Sequence, residues 1–315
     1  MKKAYLFLLS LIVFTSIKAT PNTDTTSTPF NLTTPTGNIM GTLLMPGASS
    51  KVPVVLIIAG SGPTDRNGNN PMMKNESLHM LAQGLAAKGI ASVRFDKRGI
   101  AASASAGKKE ADLRFDDYIQ DAIAWIELLK KDSRFSKVIV AGHSEGSLIG
   151  MVAANGRADG FVSIAGAGKA ADRILKDQLA TQPAMVKDPS YRIIDSLVQG
   201  KTVTDVSPML FSLFRPSVQP YMISWFQYDP IKEITKLNIP VLIVQGTHDL
   251  QITTADADAL AVAKPNAKKV VIQKMNHVLK IVEGGQAENI ASYSNPSLPV
   301  SEALVAEVVS FVLGI

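Results

Sequence analysis

A chain of 315 residues with 46% hydrophobic and 19% charged residues has the balance of a globular protein, which excludes a disordered one, and it suits one large α/β domain or two small ones. Zero cysteines exclude disulfides, thiolate metal sites, a cysteine nucleophile and a thioether-linked lipid anchor. The formal charge of +5 comes without a Lys/Arg cluster interleaved with aromatics, so nucleic acid is not an expected partner.

Lys2 and Lys3 precede an uncharged, mostly apolar run of 14 residues, Ala4 to Ile17, and Lys18-Ala19-Thr20 follows. That is the layout of a secretory signal peptide, and the run is shorter than the roughly 20 residues a membrane-spanning helix needs. Residues 1–19 are therefore read as a signal peptide, with export to the periplasm or the medium and no stable membrane insertion afterwards. Its removal takes away three lysines and no acid, so 32 basic residues become 29 against 27 acidic ones, a formal +2. Residues 20–36, rich in Thr and Pro, read as a flexible leader. The remainder, 37–315, reads as a single domain.

Within that domain a strand alternates from Asn38 to Met45, and the β-branched run from Val52 to Ala59 suits a strand buried on both faces of a parallel sheet. A helix from Lys74 to Lys88 stops at Gly89, and a strand follows over Ile90–Asp96. Asp116–Lys131 is amphipathic, with Ile119, Ile123, Ile126 and Leu129 at helical spacing. Lys137–Ala141 is a strand, Ser144–Ala154 a helix and Phe161–Ala165 a strand. From about 170 to 228 the strand signal lapses and large apolar residues recur at helical intervals, which reads as a lid. Strands return at Pro240–Val244 and Lys269–Gln273 around a helix near Asp256–Ala263, and a last helix covers Val300–Leu313. Alternating β and α elements predict a mostly parallel, doubly wound sheet with a small helical insertion.

Gly142-His143-Ser144-Glu145-Gly146 fits G-x-S-x-G between a buried strand and a helix. A turn this sharp strains the central serine, and the flanking glycines give the backbone room to close. The hydroxyl is thereby raised above the sheet edge at a helix N-terminus, whose dipole favours a developing anion. The alternative is an ordinary glycine-rich turn.

A serine needs a base. Of the four histidines, His143 is locked into the elbow, His79 lies within an early amphipathic helix, and His248 adjoins a candidate acid. His277 follows the last strand, at the carboxyl edge where open α/β sheets meet their ligands. Asp249, after the strand Val241–Val244, occupies the same edge and could orient the imidazole. Its bland reading is a cap for the helix near Thr253. The chain order Ser144, Asp249, His277 is that of α/β hydrolases and favours the catalytic reading.

Four motifs carry a resemblance: Ala59–Gly68, Arg94–Gly99, the Gly142–Gly146 elbow, and Asp229-Pro-Ile with the run ending at Asp249. From about Asn38 to Leu313 the sequence resembles the α/β-hydrolase superfamily, in particular its esterase-like branch related to serine aminopeptidases and dienelactone hydrolases. The resemblance implies the α/β-hydrolase fold, with an oxyanion hole made by the backbone N–H groups of Ser61 and Glu145. The glycines on both sides of Ser61 leave Gly62 as an alternative donor. It also gives the Glu145 side chain no required part. Asp65 and Arg66 read either as an ion pair bracing their loop or as a substrate contact. The segment Ile100–Ser103 departs from the family pattern and predicts an altered loop near the pocket.

The chemistry implied is cleavage of a small-molecule carboxylic ester, with short acyl or acetyl groups favoured, through an acyl-enzyme and with no metal or organic cofactor. Phe211, Phe214, Tyr221, Trp225 and Phe226 in the lid could line a pocket, although core packing is the expectation for most of them. Two other readings stand beside this one: a peptidase on the same triad, and a non-catalytic binding protein on a hydrolase scaffold.

Overall fold

The computed structural model describes residues 25–47 and 50–315. The signal-peptide expectation for 1–19 lies outside the described residues. An eight-stranded sheet organises them.

The chain enters through β1 (Thr25–Pro29), a short hairpin of β2 (Leu32–Thr34) and β3 (Gly37–Ile39), and β4 (Gly41–Pro46). β1 runs antiparallel to β4, pairing from Thr25 with Pro46 to Pro29 with Thr42. This corrects the reading of 20–36 as a flexible leader: from Thr25 onward the segment is part of the fold. Threonine favours extended backbone. All five β1 residues are exposed, so no apolar alternation marks the strand in the sequence. The strand predicted over Asn38–Met45 breaks at Met40, whose N–H is taken by the Ser103 hydroxyl at 2.8 Å.

The core strands follow: β5 (Val52–Ile58), α1 (Ser77–Ala86), β6 (Ala91–Phe95), α2 (Phe115–Lys131), β7 (Phe135–His143), α3 (Glu145–Ala154) and β8 (Gly160–Ile164). The insertion supplies α4 (Ala171–Leu179), α5 (Ala184–Val198), α6 (Phe211–Phe214) and α7 (Gln219–Trp225). It returns through α8 (Pro230–Thr235) to β9 (Val241–Gly246), α9 (Thr254–Ala263), β10 (Lys268–Ile272), α10 (Gln286–Ser292) and α11 (Glu302–Gly314). Strand order is β1-β4-β6-β5-β7-β8-β9-β10, and every pair from β6 to β10 is parallel.

Helices cover both faces. α2, α3 and α9 bury their apolar sides against one, and α1 and α11 against the other. On the first face Trp125 is fully buried, with ring centroids 5.9 Å from Phe30 and 5.3 Å from Phe95. Truncating such a side chain costs about 3–5 kcal/mol, so Trp125 fastens the N-terminal segment to the sheet. The insertion has an apolar cluster of its own, including Ile194, Leu197, Phe214 and Met222. Parallel strands that end side by side bring the loops after β5, β7, β9 and β10 to one edge, where ligands bind in such sheets.

Candidate active site

The turn from β7 into α3 places Ser144 at φ 55°, ψ −121°, outside the regions an ordinary residue adopts. Its glycines are sterically required. A Cβ on Gly142 would stand 2.1 Å from the Gly146 carbonyl oxygen, and one on Gly146 2.4 Å from that of Ile58. Strained backbone persists only where its surroundings over-determine it, and here two close backbone contacts do so.

Asp249 sits on the loop after β9 with its side chain wholly buried. Its Oδ2 lies 2.8 Å from His277 Nδ1 and accepts from Gln245 Nε2 at 3.1 Å. Its Oδ1 accepts from the N–H groups of Gln251 and Ile252 at 2.8 and 2.9 Å. One carboxylate oxygen thus faces the imidazole and the other binds the following turn, and the reading of Asp249 as the cap of the helix near Thr253 does not hold. The true cap of α9 is Thr253 with Asp256. Burial pushes the Asp249 carboxyl up, but the His277 ring and the hydrogen bonds outweigh it and hold the group below its usual value. With Nδ1–H given to the carboxylate, the free Nε2 of His277 is the basic position.

The His277 loop is fixed from three sides. The buried Asn276 amide donates to Asn289 Oδ1 and Ser292 Oγ of α10, at 2.9 and 2.6 Å. Asn289 in turn donates to the His248 carbonyl at 2.6 Å, tying the acid loop to the histidine loop. His143 Nε2 lies 2.8 Å from the His277 carbonyl oxygen. Burial, then the neighbouring His277, hold His143 down to about 3, so it is neutral and donates that bond. Among the described residues no hydrogen bond joins the Ser144 hydroxyl to the His277 ring. His143, whose ring centroid is 4.8 Å from that of His277, leads directly into Ser144 and holds the two loops side by side. Catalytic hydrogen bonds of this kind are often loose until substrate is bound.

Ser61 and Gly62 lie on the turn after β5, and a Cβ on Gly60 would stand 3.2 Å from that of Ser144. A cavity of about 500 Å³ opens over the elbow. Ser61, Gly62, Ser144, Glu145 and Leu148 line it from the sheet edge, Gln251 and Ile252 from the acid loop, and Leu175, Tyr221, Met222 and Trp225 from the lid. Of the five lid aromatics singled out in the sequence, Tyr221 and Trp225 line the cavity. Phe214 and Phe226 are buried in the lid's own cluster, and Phe211 is half exposed.

Other expectations change. Arg66 pairs with Asp96 at 2.7 Å, not with Asp65, whose carboxylate accepts from the N–H groups of Asn67 and Asn69. Both brace the loop, and neither lines the cavity. The departure at Ile100–Ser103 does not shape the cavity either: Ser103 is buried, its hydroxyl donating to the Asp96 carbonyl at 2.9 Å. His79 faces Glu76 at 3.2 Å. The Glu145 side chain, given no role in the sequence, is buried against Lys97 and Tyr221. Sequence reading also missed His143 and Asn289 as supports. The Gly-His-Ser string puts His143 beside the nucleophile, whereas nothing in the chain links Asn289 to the acid loop. No group of three or more His, Asp or Glu residues that could hold a metal ion is present among the described residues.

Comparison with known proteins accords with this geometry. The family model described as Hydrolase_4, serine aminopeptidase, S33, matches residues 74–209. Esterase EstD of Thermotoga maritima is 27% identical over 251 residues, covering 78% of this chain and 58% of EstD. The chain thus spans little more than half the length of that relative. Among solved structures, Est1E from Butyrivibrio proteoclasticus superposes with a TM-score of 0.59 at 16% identity, covering 91% of this chain and 99% of Est1E. The Pyrococcus furiosus esterase Pf2001 gives 0.56 at 15% identity, covering 84% and 88%. At such identities the structures speak for the fold. Sheet order, elbow and acid–histidine pair, taken with these likenesses, give the chain the α/β-hydrolase fold, and the relatives and neighbours it resembles include esterases.

Proposed function

We propose that the protein is an exported serine hydrolase that cleaves small carboxylic esters through an acyl-enzyme. The observation that carries this reading is the Asp249–His277 pair, seated at the sheet edge that holds the strained Ser144 elbow, beneath a largely apolar cavity. In the first step Ser144 Oγ attacks the ester carbonyl as His277 Nε2 takes its proton, and the N–H groups of Ser61 and Glu145 face the oxyanion. His277 then protonates the departing alcohol. In the second step His277 activates a water that releases the acid and restores Ser144. Short acyl groups, acetyl esters included, are the favoured substrates. Export rests on the sequence of residues 1–19.

The peptidase reading is disfavoured by one observation. An aminopeptidase needs a carboxylate to receive the free amine, and the lone carboxylate lining this cavity, Glu145, is already engaged by Lys97 and Tyr221. The cavity's charged side chains besides it are cationic, Lys169 and Arg215.

The decisive experiment is covalent labelling with a fluorophosphonate, alongside turnover of short p-nitrophenyl esters and aminoacyl anilides. Wild-type protein is expected to label and to prefer esters. Ser144→Ala is expected to lose the label and about six orders of magnitude in kcat. Folded wild-type protein that neither labels nor turns over would support the binding-protein reading, and faster anilide cleavage the peptidase one.

A further inference from the structure

Behind the elbow lies a buried lysine that the two-step scheme leaves unused. Lys97, just past the end of β6, is 2% exposed. Its ammonium donates to the Gly60 carbonyl at 2.6 Å and to Glu145 Oε2 at 2.9 Å, and it stands 5.0 Å from the centre of the Tyr118 ring. The second Glu145 oxygen accepts from the Tyr221 hydroxyl of the lid at 2.6 Å. Burial first, and then the Glu145 carboxylate, push the Tyr221 phenol well above 10, which keeps it a donor.

Two features of this arrangement point to function. First, a trans peptide holds its C=O and N–H in one plane, pointing opposite ways. No cis peptide occurs among the described residues, so pinning the Gly60 carbonyl toward Lys97 turns the Ser61 N–H away from it, toward the cavity that Ser61 lines. Ser61 rather than Gly62 is thereby the donor whose direction is set. On the other side Glu145 opens α3, where the first N–H groups of a helix have no partner within it. Drawing its side chain back to Lys97 fixes that residue with its N–H free. Second, a buried ion pair is seldom the most stable way to fill space, since apolar residues of similar size often do as well. Its position, touching both turns that face the oxyanion, is the feature that stability does not explain.

We propose that Lys97 is a positioning residue that sets both backbone donors of the oxyanion hole with one ammonium, and that Glu145 and Tyr221 extend this setting to the lid. The inference rests on the serine-hydrolase reading above. Removing a donor from an oxyanion hole costs about 10²–10³ in kcat, and mis-aiming the donors is expected to cost about 10².

The test uses the full chain. Lys97→Met alone would leave the Glu145 charge buried and unpaired, so the informative variant is Lys97→Met with Glu145→Gln, which stays neutral. Its kcat and KM on p-nitrophenyl acetate are compared with wild type, together with inhibition by a trifluoromethyl ketone, which forms an oxyanion on Ser144. The expected result is a folded protein with kcat down about 10²-fold, KM within about threefold, and ketone affinity falling in step with kcat/KM. A folded double variant with near wild-type kcat, or with a change confined to KM, would overturn the proposal and make Lys97 a packing residue. Should that variant fail to fold, Lys97→Arg, Glu145→Gln and Tyr221→Phe decide by the same plot. Ketone affinity tracking kcat/KM across them supports positioning, and its independence from kcat/KM refutes it. An inactive, unlabelled wild type takes down the hydrolase reading and this inference together, whereas an active wild type matched by the double variant removes this inference alone.

Discussion

The carboxyl edge of the sheet and the helical lid enclose the same cavity but are held in different ways. At the edge, main-chain contacts dictate position. Gly142 and Gly146 press against neighbouring carbonyls, and Asp249, Asn276 and His277 are each held by two or more hydrogen bonds. The lid packs around its own apolar cluster and meets the body through the Tyr221 and Trp225 rings against Phe115 and through a few side-chain bonds. Tyr221 donates to Glu145, Tyr228 to Asp116, and Arg215 pairs with Glu110. Exposed pairs such as Arg215–Glu110 contribute about 0–1 kcal/mol each. The edge is therefore held by many contacts converging on a few side chains, so losing one is expected to cost much, whereas the lid wall of the cavity is expected to tolerate change and to tune fit.

The sharpest break at the edge is Asp249→Asn. The amide oxygen takes the place that accepts from the Gln251 and Ile252 N–H groups, so the amide NH2 faces Nδ1 and donates to it; the wrong imidazole tautomer is favoured, and kcat is expected to fall about 10⁴-fold with the fold intact. A fall under about tenfold would remove Asp249 from the mechanism.

His143 offers a smaller test, through pH. It is neutral when folded, down to about 3, whereas an unfolded histidine binds its proton near 6.5. Between these values the unfolded chain binds more protons, so stability falls as pH drops below about 6.5, by up to ~1.4 kcal/mol per unit. Asp249 works in a lower window: its carboxyl is held down, so its contribution is lost only below its unfolded value of about 3.9. Urea unfolding between pH 4.5 and 7 is expected to show this loss, and a folded His143→Gln to flatten it. An unchanged slope would rule His143 out as the cause.

In the lid, Trp225→Ala enlarges the cavity beside Tyr221, and a pocket change of that kind alters selectivity by about 10–100-fold. Ratios of kcat/KM for acetyl and octanoyl p-nitrophenyl esters are expected to move toward the longer chain. An unchanged ratio would place acyl recognition elsewhere.

How much of this could be read from the chain depends on the range of the interaction. The β5, β6 and β7 strands were legible because each is an apolar run bounded by turn residues. The elbow was legible because its two glycines and serine lie within five residues. Chain order paired Asp249 with His277, 28 residues apart. β1 was not legible, because an exposed polar edge strand has no apolar period and its partner lies beyond the hairpin. Arg66 was assigned the wrong acid because Asp65 is adjacent in sequence while Asp96 is adjacent in space. The union of Lys97, Glu145 and Tyr221 spans three elements, and local composition does not encode such a meeting.

The left-handed twist at residue 144 also limits what evolution can place there. A β-branched side chain at φ 55° collides with its own backbone, so threonine is barred from serving as the attacking group unless the whole turn is rebuilt. Cysteine, unbranched and little larger, fits the same bend. On the proposed serine-hydrolase reading, a thiol nucleophile is therefore one exchange of oxygen for sulfur away, while a threonine nucleophile requires a rebuilt turn.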